Sequence, residues 1–458
     1  MSGLGKGTEL SVPDEAKRWP SAAHGWFAVA LLALASVGSQ FDRTVINLMV
    51  EPLKRTFALD DTHFGMLQSI PFGIFYVLAC VPIGRAADRY SRRVIIATGI
   101  TLFGLFAMAS GLARTFTQLF LTRIGVAVGE ASLTPAALSM LSDLFAPARL
   151  GRPVSGFLMS APVGQALAFM GGGSLLQWLS TSAALSHGPL AHLAPWQAAF
   201  MIVGAPVLVL VPCFLLQREP LRRGAAAGSL PLKEMVTLLR TRAPALVPMF
   251  AGFAMVNLVS NAFFIWTPAL LNRSYGWNTA RIGVAFGLIV LFCGTAGVLC
   301  SGWLSDRLVR QGHQDAHLRV AAYGYVGCGV FGALAPLMPT AAAALAMLAP
   351  ALFCSNMPYA CAGTALQLIV PNRARAQVTA LYVTFTTLVG LVAGPIVIGF
   401  MTDHVFRDPA EVRYSLSIVI ATAAPLMVLL ILGALRPFRA LRELQNRSVI
   451  GVLTNPGG

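Results

Sequence analysis

The chain has 458 residues, of which 56% are hydrophobic and 11% charged, against roughly 25% charged in an average soluble domain. So little polar side chain cannot cover a single water-soluble core. The formal net charge of +15 would suit nucleic acid, but the basic residues sit between apolar runs, with no basic stripe and interleaved aromatics; nucleic acid is therefore excluded as a partner.

Residues 1–24 are polar and lack the apolar core and small-residue cleavage site of a signal peptide, so they read as a cytoplasmic N-terminal tail. A membrane-spanning helix needs about 20 apolar residues. Twelve candidates follow, at 26–50, 64–87, 94–113, 116–141, 153–176, 196–216, 245–271, 281–304, 318–338, 341–368, 375–401 and 412–435. With both termini on one side, that side carries 24 Lys and Arg and the other carries 7. This bias predicts cytoplasmic termini and an integral, multi-pass protein, expected in a bacterial inner membrane.

The loop after the second candidate reads Gly84-Arg85-Ala86-Ala87-Asp88-Arg89-Tyr90-Ser91-Arg92-Arg93, and its core returns as Gly302-Trp303-Leu304-Ser305-Asp306-Arg307. Gly84, Asp88 and Arg89 match Gly302, Asp306 and Arg307 at an offset of 218 residues, close to half the chain. A repeat at half-length predicts two related six-helix bundles, 25–216 and 245–436. The predicted fold class is thus an all-α membrane protein with twelve transmembrane helices in two pseudo-symmetric bundles. Between the bundles, 217–244 reads as a cytoplasmic linker. In it Leu232, Met235, Val236 and Leu239 fall at helical spacing, as in an amphipathic helix lying at the interface. Residues 437–458 form a C-terminal tail.

The seven cysteines all lie in apolar runs, without a CxxC pair, and no HExxH or other spaced ligand set occurs. No disulfide framework, metal site, catalytic set or cofactor is expected, and the chain does not read as an enzyme. A channel would need a repeated filter motif or polar pore, and none is visible.

Twelve spans in two halves, with GxxxDRxxRR after the second and its GxxxDR echo after the eighth, resemble the major facilitator superfamily. The resemblance implies that Gly84, Asp88, Arg89 and Arg92, with Asp306 and Arg307, form a cytoplasmic latch favouring the outward-open state. Ser91 departs from that pattern, which usually has Gly there. A narrower resemblance lies in Gln40-Phe41-Asp42-Arg43 and in the run Arg123-Ile124-Gly125-Val126-Ala127-Val128-Gly129-Glu130-Ala131 through Pro135-Ala136-Ala137, followed by Ser142-Asp143-Leu144-Phe145. These segments look like the Spinster-like transporters; the organic-anion transporters of the same superfamily share parts of them.

Asp42, Arg43, Arg123 and Glu130 are the only charges placed well inside the predicted spans. An isolated charge at mid-membrane costs about 2.5–3.5 kcal/mol on insertion scales, so the four must pair and face a wet cavity. Arg123 and Glu130, seven apart, share one helix face. A carboxylate whose arginine partner can move has a switchable proton affinity. The Spinster-like resemblance puts Asp42 and Glu130 in the proton-carrying role, with Arg43 and Arg123 as modulators and the proton as coupling ion.

By the same offset Asp42 and Arg43 correspond to Ser260 and Asn261. With Asn257, Trp266, Asn356, Tyr359 and Thr384 these outline a mostly apolar, hydrogen-bonding wall. It suits an amphipathic or organic anion whose head reaches Arg43 or Arg123. The reading is a proton-coupled secondary transporter working by alternating access on a small-molecule or lipid substrate such as a lysophospholipid or sphingoid phosphate. An organic-anion or drug transporter, or a non-coupled facilitator or sensor, is the alternative. The superfamily resemblance favours a monomer in the bilayer.

Overall fold

The computed structural model describes residues 19–146, 149–181, 192–222 and 231–454, and among these every regular element is helical. Twelve helices are long and apolar enough to cross a membrane: α1 (Ala22–Leu48), α2 (Asp61–Ala87), α3 (Arg92–Ser110), α4 (Phe116–Leu144), α5 (Gly151–Thr181), α6 (Pro195–Leu216), α7 (Lys233–Tyr275), α8 (Thr279–Arg310), α9 (Ala316–Leu337), α10 (Ala341–Ile369), α11 (Gln377–Phe406) and α12 (Pro409–Leu444). They alternate in direction. The 85–93 loop and the linker mark one end, called here the linker end; the opposite one is the far end.

Helix starts at the far end carry polar caps, because the first amides of a helix have no partner within it. Asp60 accepts from the amide of His63, Thr115 from Gln118, Asn278 from Arg281, Thr340 from Ala343 and Asp408 from Ala410. Gly276, at φ +65°, ends α7 in the left-handed conformation that lets the chain turn within three residues into α8.

Within the first half α1 packs on α5, and α3 packs on α4 and α6; in the second half α9 packs on α10 and α12, and α7 on α12. The halves meet mainly through α5 against α8 and α2 against α11. These contacts concentrate at the far end. A Cβ added to Gly283 would lie 2.1 Å from the Phe169 carbonyl oxygen, and one added to Gly65 would lie 2.7 Å from that of Pro395. At the linker end, Cβ atoms added to Gly84, Gly151, Gly302 and Gly363 would meet nothing within 4 Å. The bundle is closed at one end and spread at the other.

The linker differs from the sequence expectation. Its helical segment does not lie apart at the interface but is the first part of a continuous 44-residue helix, Leu232–Tyr275, with Met235 buried against the second-half core. Residues 223–230 of the linker lie outside the described residues, as do 1–18 of the N-terminal tail and 455–458 of the C-terminal one. The rest of the C-terminal segment continues the last helix, Val412–Thr454.

Several spans are irregular. The helix of α4 breaks at Ala131–Ser132, between Phe116–Glu130 and Leu133–Leu144. Wide π turns occupy Pro71–Phe75 in α2, Val290–Gly294 in α8, and Thr387–Val392 and Met401–Phe406 in α11. Pro71 lacks an amide hydrogen and crowds the preceding turn, which accounts for the first.

Candidate functional site: a central cavity beside a buried ion cluster

A cavity of about 610 Å³ lies between the halves, within the range of small-molecule sites. The far-end contacts roof it. Polar side chains reach it from both halves: Gln40, Arg43, Thr44, Asn47 and Gln68 from the first, with Asn257, Ser260, Asn261, Asn356 and Tyr359 from the second. Leu158, Met159, Val298 and Leu299, from α5 and α8, add an apolar patch, beside which Ser155, Gln165 and Thr295 of the same helices also reach the cavity.

Of the expected substrate residues, Arg43, Asn257, Ser260, Asn261, Asn356 and Tyr359 all line this cavity. Three do not. Arg123 is fully buried and donates from Nη1 to Asp42 Oδ2 at 2.8 Å. Trp266 is also fully buried: it donates from Nε1 to the Pro395 carbonyl within its own half at 3.1 Å and packs edge-on against Phe64 of the other half. Thr384 lies on α11 away from the lining. An arginine and a tryptophan in a span mark polar or packing demand, and sequence alone does not say which face meets the cavity.

The ion cluster sits beside the cavity wall. Asp42 and Arg123 form a single-point pair, leaving Asp42 Oδ1 and Arg123 Nε and Nη2 without hydrogen-bond partners. Removing one member of a buried pair costs about 3–5 kcal/mol, because the other is left uncompensated. Glu130 is 6% exposed, at the break of α4, with Oε1 unpartnered. It lies in the field of Arg43, Asp42 and Arg123. Among the described residues Arg43 closes no ion pair; its guanidinium lies 4.6 Å from the Phe72 ring centre, and that of Arg123 lies 5.3 Å from the same ring. One neutral ring thus stands by two cations.

On the second-half wall Asn257 is the hub. Its Nδ2 donates to the Thr386 carbonyl at 2.8 Å, and its Oδ1 accepts from Asn261 at 2.8 Å and Tyr359 at 3.2 Å. Gln68 donates to Asn47 on the opposite side. Gln40, Thr44, Asn47 and Gln68 were not anticipated. A signal existed for three of them: positions 40, 43, 44 and 47 follow the helical repeat that puts them on one face with Arg43.

The 85–93 loop is held by the linker. Arg92, 1% exposed, bonds Glu219, the Ser139 carbonyl, Asp143 and the Pro220 carbonyl. Glu219 also accepts from the amides of Arg92 and Arg93, capping α3, while Arg222 donates to the Ala87 and Tyr90 carbonyls at the end of α2. Every described hydrogen bond of the loop thus stays in the first half and the first linker residues. In this conformation Arg92 braces its own half and does not reach across. Arg89 and Asp306 are exposed, and Arg307 lies 5.5 Å from the Trp303 ring. The side chain of Asp88 lies outside the described residues.

A second charged network closes the far end. Arg273 bonds Asp61 through two nitrogens, at 2.7 and 2.8 Å, and Glu51 at 2.7 Å; Lys54 also pairs with Asp61. Asp403 of α11 accepts from the Asp61 amide at 3.1 Å and from the Thr62 amide and hydroxyl at 2.6 Å each. An anion from one half thereby caps a helix of the other, where the helix dipole favours it.

The family model of the Major Facilitator Superfamily matches residues 32–395. An MFS-type efflux pump of Mycolicibacterium smegmatis is 29% identical over 421 residues, covering 88% of this chain and 90% of that one. The sphingosine-1-phosphate transporter SPNS2 of Mus musculus is 28% identical over 409 residues, covering 83% and 70%. A crystal structure of a bacterial homolog of the human lysosomal transporter Spinster, inward-facing and unoccupied, superposes with a TM-score of 0.76 at 23% identity, covering 93% of this chain and 99% of that one. The chain is similar to Spinster-type transporters and belongs to the Major Facilitator Superfamily of membrane transporters.

Proposed function

We propose that the protein couples proton movement to transport of an amphipathic anion, and that the structure represents its inward-facing state. The observation that carries this reading is the environment of Glu130. A buried carboxylate with a free oxygen sits at a helix break, beside an arginine that lines the cavity and has no carboxylate partner of its own. An anionic head arriving at Arg43 would draw the guanidinium from the field of Glu130, and the acid would then hold a proton more tightly. The amide-rich wall receives the rest of the head, and the apolar patch of α5 and α8 receives an apolar tail. The likeness to a sphingosine-1-phosphate transporter supports lysophospholipids or sphingoid phosphates as the substrate class. The likeness to an efflux pump keeps drugs and organic anions as the second class.

Proteoliposomes loaded with a pH dye test the reading, with lysophosphatidylglycerol, sphingosine phosphate and gluconate as probes. Substrate-triggered proton movement in the parent, lost in Glu130→Gln, is expected. Movement that persists unchanged in Glu130→Gln would shift the proton to Asp42; substrate flux without any proton movement would mean a uniporter.

A further inference from the structure

The ion cluster and the substrate wall belong to different halves, and one ring touches what joins them. Phe72 is fully buried and belongs to the first-half core, in the π turn Pro71–Phe75 that faces the π turn Thr387–Val392 of α11. The approach is close: a Cβ added to the neighbouring Gly73 would lie 2.1 Å from Val392 Cγ2. Leu391, in that second turn, is the one second-half residue among the described buried members of the first-half core, and it also lines the cavity. Immediately before that turn, the Thr386 carbonyl receives the Asn257 amide, which in turn accepts from Tyr359 and Asn261 on the substrate wall.

We propose that Phe72 is a positioning residue linking the substrate wall of the second half to the ion cluster of the first, through the facing π turns of α2 and α11. This rests on the proton-coupling reading above. A guanidinium is attracted to a ring face by the ring's quadrupole, and the guanidiniums of Arg43 and Arg123 both stand by Phe72. A small displacement of the ring therefore changes which arginine is better held, and with it which cation remains to face Glu130. The π turns suit such a displacement, since their extra residue is not locked into the α-helical hydrogen-bond repeat. When Asn257 rearranges around a substrate, Leu391 and Val392 move against Gly73 and Phe72. Rocking of the halves does the same. The groups that would feel the shift are Asp42 and Arg43 on α1, Tyr76 and Cys80 on α2, and Arg123 with Glu130 on α4.

The test needs no substrate. The infrared band of the protonated buried carboxylic acid is titrated in membrane-reconstituted parent, Glu130→Gln, Phe72→Leu, Phe72→Tyr and Leu391→Ala. Glu130→Gln should remove the band and so assign it. Phe72→Leu, which removes the ring, and Leu391→Ala, which touches no charge, should each move the midpoint by at least about half a pH unit, a threefold change in proton affinity. Phe72→Tyr, which keeps the ring, should stay within that bound. A parental midpoint in Leu391→Ala would overturn the link from the second half, whatever Phe72→Leu does. A parent that titrates normally beside silent joint variants removes the joint alone; a parent with no titrating carboxylic acid removes the coupling reading and the joint with it.

Discussion

Asp403 gives the sharpest test of how the far end is held. Its carboxylate accepts three hydrogen bonds from Asp61 and Thr62, all across the interface between the halves, so the contact exists only while that end is closed. Asp403→Asn keeps the side-chain size and one acceptor oxygen but removes the charge and turns an NH2 toward donors. A hydrogen bond to a charged group contributes about 1.5–3 kcal/mol, against roughly 0.5–1.5 for a neutral one, and the helix-terminus attraction adds about 0.3–1 kcal/mol. The closed form should lose about 1.5–2.5 kcal/mol, or roughly a 10- to 70-fold shift toward far-end opening. Hydrogen exchange in micelles reads this directly. Protection should fall by that order at 58–68, and also at 279–290 in α8, which Asp403 does not touch. Loss confined to 58–68 would mean a frayed helix start, and unchanged protection at both would refute the idea that Asp403 holds the gate.

Three further outcomes follow from the geometry. Burial alone would raise Glu219, but hydrogen bonds from Ser91, from the amides of Arg93 and Arg92 and from the Arg92 guanidinium hold it below its ordinary value of 4.5; because the folded value is the lower one, its stabilisation is complete above pH 4.5 and is lost as acidification passes through that lowered value. Melting curves should show Glu219→Gln less stable than the parent at pH 7, with the two converging in strong acid. Gly283→Val should prevent tight α5–α8 closure, since even a Cβ there would meet the Phe169 carbonyl oxygen at 2.1 Å; overpacking of about 1–3 kcal/mol should appear as lost exchange protection at 165–175 and at least a tenfold slower transport rate. Tyr359→Phe removes the hydroxyl that donates to Asn257, and at about 0.5–1.5 kcal/mol the KM for the proposed lysophospholipid substrate should rise roughly 2- to 12-fold with a smaller change in maximal rate.

The spans were legible because a bilayer demands a long apolar run, and nothing else in the chain imitates one. The four intramembrane charges stood out for the same reason, and so did Ser260 and Asn261 through the repeat. The far-end network was not legible. Asp61 and Asp403 lie at helix ends, where a carboxylate is ordinary, and their contact spans 342 positions that no local pattern registers. Glu219 lies in the linker, where the helical spacing of apolar residues at 232–239 is the pattern on view and a single carboxylate is ordinary. The π turns leave no trace in hydropathy, since widening a helix by one residue changes its hydrogen bonding and not its composition. Phe72 is one of 27 phenylalanines, and no local pattern sets two guanidiniums beside its ring.

The unbroken run of α7 has a mechanical consequence. At 44 residues it is about 66 Å long, well beyond a bilayer of roughly 40–45 Å with its headgroups. Its leading turns therefore project past the membrane like the pointer of a balance. Each degree by which the second half tilts about its far end carries the tip, near Pro231, through about 1.2 Å. A rigid label fused there would magnify the protein's motion into a displacement large enough to follow in single molecules, without a probe in the cavity or the gates.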